Sequence, residues 1–227
     1  MTIEEKIKSK GYMTILIRSK DYKQDRISKL TDLFSIIQRA SVDIRGWDLP
    51  HIVDDRPRFG QNYIESFTDW SQYVEIWRFY QSGQFVHQSG YFLDWTDQSY
   101  FKGLIPPGWT NGTVIGLGYI VGRFTEVYEL TSRLAQSPAG GSEMEIKINF
   151  KNLNNRQLIN DNTQGMPLIR NYKASIDSYP HYAVITKEKL MMNARELALV
   201  GAYEFIQRFG MDPHKNLLQG IQQQISS

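Results

Sequence analysis

Residues 73–93 constrain the fold more than any other part of this chain. β-branched and aromatic residues dominate the stretch, with Ile76, Arg78 and Tyr80 on one side of an extended backbone and Trp77, Phe79 and Gln81 on the other. Gly83 and Gly90 interrupt the run without ending its pattern. This predicts two or three antiparallel strands at the centre of a sheet, with Gly83 at a bulge or turn.

The flanking segments supply the sheet's other strands and its cover. Residues 11–18, GYMTILIR, read as a first strand. Ile27, Leu30, Leu33, Phe34 and Ile37 then keep the spacing of one helix face, with Asp25 placed as a cap. Residues 42–47 predict a second short strand closed by Pro50, and the polar stretch 51–61 a loop. Residues 94–112 form a long connection, and loops beyond about 12–15 residues are commonly functional.

A long helix is predicted over 113–136, stopped by Ser137-Pro138-Ala139-Gly140-Gly141. Residues 143–153 alternate cleanly, as in a half-buried strand, and turns follow over 152–165. A final strand over 172–176, a second long helix over 190–209 ending at Gly210, and a short helix opened by Pro213 complete the reading. The fold class is α+β, one domain over residues 1–227. A mostly antiparallel sheet carries two long helices and one shorter N-terminal helix packed against one face.

Composition removes several function classes. With no cysteine, the chain has no disulfide, no thiolate metal site and no cysteine nucleophile. Its 26 basic and 24 acidic residues leave a formal net charge of +2, without the excess expected of a protein that neutralises phosphates. The N-terminus lacks the apolar core of a signal peptide, and no apolar run approaches the ~18 residues that span a bilayer. The expectation is a cytoplasmic protein with no membrane association.

Motifs that carry chemistry are missing or incomplete. Gly116-Leu117-Gly118-Tyr119-Ile120-Val121-Gly122 approaches a dinucleotide fingerprint, but its third glycine comes one residue late and no long strand precedes it. Close packing against a neighbour is the reading preferred for these glycines. No lysine-bearing phosphate loop and no Gly-x-Ser-x-Gly elbow occurs. The four histidines, His51, His87, His181 and His214, show no metal-ligand spacing. Neither a catalytic residue, a metal site nor a cofactor is assigned. A hydrolase or nuclease built on His51, Asp54, Asp55 and His87 requires those side chains to converge.

Aromatic residues make up 13% of the chain, and all five tryptophans fall between Trp47 and Trp109. Burial explains such rings in general; a stacking surface for a base, ring or peptide is the alternative. Arginine beside tryptophan allows cation–π contact, and a guanidinium grips carboxylate or phosphate. The candidate binding residues are therefore Arg45, Trp47, Asp48, His51, Arg78, Tyr80, Gln84 and His87. Strand alternation lets at most half of those on residues 77–87 share one face.

The same segments carry a resemblance. Gly11, Tyr12, Ile17 and Arg18, then Arg45-Gly46-Trp47-Asp48 with Pro50-His51, then WRFYQSGQF at 77–85 are similar to those of an uncharacterised bacterial family. Arg195-Glu196-Leu197-Ala198 and Arg208-Phe209-Gly210 extend the likeness over most of the chain. That family occurs alone or beside Schlafen-type AlbA modules, so the resemblance implies a bacterial setting in regulation or defence. It supplies no catalytic residue. The function expected is a non-catalytic binding or interaction protein, an accessory subunit with a protein partner. Association with single-stranded nucleic acid or RNA is the second reading.

Overall fold

The computed structural model describes residues 1–52, 57–97, 109–161 and 168–225. Its strands are β1 (Tyr12–Ser19), β2 (Arg58–Phe59), β3 (Tyr63–Trp70), β4 (Tyr73–Tyr80), β5 (Phe85–Gly90), β6 (Val114–Gly116), β7 (Glu143–Lys151), β8 (Gln157–Ile159) and β9 (Ser178–Thr186). The helices are α1 (Ile3–Lys8), α2 (Asp32–Ala40), α3 (Phe92–Trp95), α4 (Leu117–Ala135), α5 (Lys187–Ile206) and α6 (Lys215–Gln224). Seven strands form one sheet in the order β2-β3-β4-β5-β1-β7-β9, and every neighbouring pair is antiparallel. β6 and β8 pair separately, in parallel. The α+β class is thus observed, with two long helices, α4 and α5.

Period-two alternation decides what each face of the sheet carries. Met13, Ile15 and Ile17 of β1, Ile146, Ile148 and Phe150 of β7, and Trp77, Phe79 and Phe85 point into the main core beneath α4 and α5. Phe150 and Phe205 stack there at 4.1 Å, with Phe124 and Tyr179 against them. Cover is not confined to one face. Ile7 of α1 buries Val74 and Ile76 on the opposite side, a smaller second core.

The departures from expectation have local causes. α1 was not expected; Thr2 and Glu5 form a capping box that starts it, and packing on β4 holds a helix too short to persist alone. α2 begins at Asp32, after Thr31, rather than near Ile27 with an Asp25 cap. The Ile27 N–H is instead bonded to Gln81 C=O, which ties that stretch to the β4–β5 turn. Residues 42–47 make no strand, only one bridge between Val42 and Leu49. The final strand is β9, whereas 172–176 contributes a single bridge at Lys173.

β9 escapes a sequence reading because of Pro180. Lys187 N–H bonds to Ser142 C=O, which sets the alternation so that residue 180 faces away from β7. Proline is tolerated in a strand where no ladder donor is needed, and here it blunts the sheet's free edge.

Candidate functional site

α4 is buried on nearly every side, so its polar residues need partners within the protein. Arg123 and Glu126, one turn apart, sit in that buried stretch with Glu126 fully inaccessible. Arg45, from the loop after α2, crosses α4 and donates from Nε and Nη2 to the two oxygens of Glu126, at 2.7 and 2.9 Å. Arg123 Nη1 donates to the same carboxylate at 3.1 Å. Two guanidiniums therefore share one carboxylate. The Arg45 crossing depends on Gly122, where a Cβ would lie 2.6 Å from Arg45 Cδ.

The first turn of α4 receives a second carboxylate. Gly118 N–H and Tyr119 N–H donate to Asp161 at 2.6 and 3.0 Å, satisfying helix donors that have no partner of their own. A Cβ on Gly116 would fall 1.9 Å from Asp161 Oδ2, so the glycine is required there. The expected role of these glycines as points of close approach is met, and what approaches are two charged side chains. Burial pushes the Asp161 carboxyl up despite its amide bonds.

Glu75 of β4 supplies the third carboxylate. Trp47 Nε1 donates to one oxygen at 2.9 Å, and His87 Nε2 lies 2.9 Å from the other. Burial acts to raise the Glu75 pKa, but the His87 bond and charge, with Arg123 and Trp47, hold it below its ordinary value. Trp47 is clamped by rings on both faces: Tyr73 at 3.6 Å and His51 at 3.7 Å. His51 also bonds Asp48, and its carbonyl accepts from Trp77 Nε1.

These groups border a cavity of about 520 Å³ between the sheet, the first turn of α4 and α6. Arg45, Trp47, Tyr73, Glu75, Ser89, Tyr119, Arg123 and Asp161 line it, with Ile44, Phe92, Leu93, Ile221 and Ile225 as apolar walls. Among the lining residues, Ser89 Oγ and Arg123 Nε are buried and make no hydrogen bond, and Tyr119 OH has only the Arg123 guanidinium as a loose partner. Tyr119 lies against the Arg123 guanidinium, whose pKa Glu126 raises against the opposing effect of burial. Ser89, Tyr119 and Arg123 are only 2%, 5% and 5% exposed. A buried polar atom without a partner costs roughly 1–3 kcal/mol, so two on residues around one cavity need an account.

The predicted binding residues divide. Arg45 and Trp47 line the cavity, while Asp48 and His51 brace Trp47 from behind. His87 is fully buried and reaches the cavity only through Glu75. Arg78 and Tyr80 lie on the opposite face of the sheet, where Arg78 pairs with Glu65 at 2.8 Å and Glu4 at 3.2 Å. Gln84 belongs to the β4–β5 turn. They do not form one surface. Asp54 and Asp55 lie outside the described residues. Among the described residues, no group of three His, Asp or Glu side chains is placed to hold a metal ion. No helix there is long and apolar enough to cross a membrane.

Sequence reasoning missed Glu75, Ser89, Tyr119, Arg123, Glu126 and Asp161. Arg123 and Glu126 stand three residues apart, a spacing common on exposed helix faces; only the apolar residues all round α4 signal that they are interior.

No family model, curated protein or solved structure matches the chain.

Proposed function

We propose that this chain is a non-catalytic binding protein whose ligand seat is the cavity bounded by Arg45, Trp47, Glu75, Ser89, Tyr119 and Arg123. One observation carries the reading: one partly apolar hollow is lined by residues of separate elements, among them Ser89 and Arg123, each with a buried polar atom that no protein group satisfies. Its volume suits a small organic molecule, since ligand pockets run about 300–1,000 Å³. The carboxylates around it are committed to internal partners, Glu126 to two arginines, Glu75 to Trp47 and His87, Asp161 to two amides. Such groups hold a site rigid and charged rather than exchange protons with a substrate.

An accessory role with a protein partner fits this reading, as does the regulatory or defence setting that the family resemblance implies. The exposed apolar residues Met191, Met192 and Val200 of α5 are the surface such a partner would cover. Single-stranded nucleic acid has weaker support. Stacking platforms need open ring faces, and both faces of Trp47 are occupied. Arg45 and Arg78 are likewise engaged by carboxylates.

The test is to denature the purified protein and identify released small molecules by mass spectrometry, for wild type and for Ile225→Trp. The variant fills the cavity from its rim at the end of α6. Stoichiometric release from wild type alone supports the reading. Equal release from both proteins refutes it.

A further inference from the structure

We infer that this chain pairs with a second copy of itself through β9, the two sheets joining edge to edge, antiparallel, about a dyad at Ala183. The pairing does not depend on the ligand seat. The sheet's two edges are unlike. One ends in β2, only two residues long. The other is the nine-residue β9, SYPHYAVIT, which has no charged side chain and keeps an unbroken register with β7. Among the described residues no strand pairs with its outer side. Long edges are ordinarily broken by a bulge, a lysine or a proline, and β9 carries only Pro180.

The ladder to β7 uses Lys187 N–H and, by alternation, the odd-numbered residues of β9. Tyr182, Val184 and Thr186 therefore aim their N–H groups outward, and Pro180, Tyr182 and Val184 their carbonyls. With Tyr182 set opposite Val184 of the second copy, each donates to the other, and Thr186 N–H meets Pro180 C=O. The one missing donor, at Pro180, faces Thr186 C=O. That carbonyl belongs to the N-cap of α5 and already accepts the first bond of the helix. No bond is lost to the proline. A foreign strand would leave an acceptor unpaired at that point, so this edge matches itself better than it matches a general peptide. The side chains agree. Tyr182 is 56% exposed, yet its hydroxyl donates to Glu145 at 3.2 Å and Lys147 lies over its ring, which draws the ring back over β7 and clears the edge. Ala183 is small enough for close approach at the dyad. Charge is also complementary: exposed Asp177, just before β9, falls beside the first turn of the second copy's α5, where Lys187 and Lys189 outnumber Glu188.

The experiment compares the full chain with three variants, by sedimentation velocity over a range of concentrations and by oxidation with glutathione disulfide. Wild type should sediment as a concentration-dependent dimer. Val184→Pro removes a donor that β7 does not use, so the protomer should fold while dimerisation weakens about tenfold or more. The chain has no cysteine of its own. Ala183 faces its mate across the dyad in the closely spaced kind of pair, with Cα atoms about 4.5 Å apart, so Ala183→Cys should link two copies by a disulfide. Tyr182→Cys, more exposed but roughly 7–8 Å from its mate, should link far more slowly. Should Val184→Pro not fold, the two cysteine variants decide alone. A wild type that stays monomeric at every concentration would overturn the proposal. So would a dimer indifferent to Val184→Pro, or linking of Tyr182→Cys that keeps pace with Ala183→Cys.

Discussion

Two buried arginine–carboxylate clusters adjoin the C-terminal end of β5, and they differ in one respect. In the first, Arg156 donates from Nη1 and Nη2 to Asp94 at 2.7 and 2.5 Å, from Nη1 also to Val114 C=O, and from Nε to Asn152 C=O. Asp94 further accepts from Gly11 N–H and Gly112 N–H at 2.8 and 3.2 Å. That cluster is closed: it ties the starts of β1 and β6 to the end of β5. In the second, Arg45, Arg123 and Glu126 satisfy one another only in part: Arg123, Tyr119 and Ser89 line a hollow, and Arg123 Nε and Ser89 Oγ are left without a partner. Buried charge by itself is no sign of function; buried polar atoms left unsatisfied around a cavity are.

The largest effect should come from breaking the closed cluster. Asp94→Ala strands Arg156 in the interior and should cost about 3–5 kcal/mol in urea unfolding. Glu126→Gln weakens the hold on two guanidiniums, one of them partly exposed, and should cost less, about 2–3 kcal/mol. A larger loss at Glu126 than at Asp94 would break the comparison.

Acid sharpens it. The folded pKa of Glu75 is depressed, so its contribution to stability is complete above the unfolded value of about 4.3 and is lost as pH falls through the lower folded value. Thermal melts of wild type should show that acid limb, and Glu75→Gln should flatten it. The smallest effect belongs to Ser89→Ala. Without ligand it removes no hydrogen bond, so its stability should stay within about 0.5 kcal/mol of wild type. A loss of 2 kcal/mol or more, as roughly expected for a partnered buried hydroxyl, would place Ser89 in a closed network.

What could be read in the sequence follows the range of the forces involved. The strands of residues 73–93 are plain because alternation is local, and β4 and β5 turn at Gly83 with φ +80. α4 and α5 follow from apolar spacing and from their stops. β9 is obscured because Pro180 argues against a strand unless the edge position is known. Of the site, Arg45 and Trp47 were legible through their unusual pairing. Arg78 and Tyr80 were misleading neighbours, since alternation puts them across the sheet from Trp77. Glu75, Arg123 and Asp161 meet only in three dimensions, and no local pattern joins residues this far apart.

The most direct measurement is a crystal structure of the protein as purified, with the density at the two clusters compared. The account predicts a bound organic molecule in the hollow lined by Ser89, Tyr119 and Arg123, and nothing but protein around Asp94 and Arg156. A cavity closed by side-chain shifts, or filled only by waters, would contradict it.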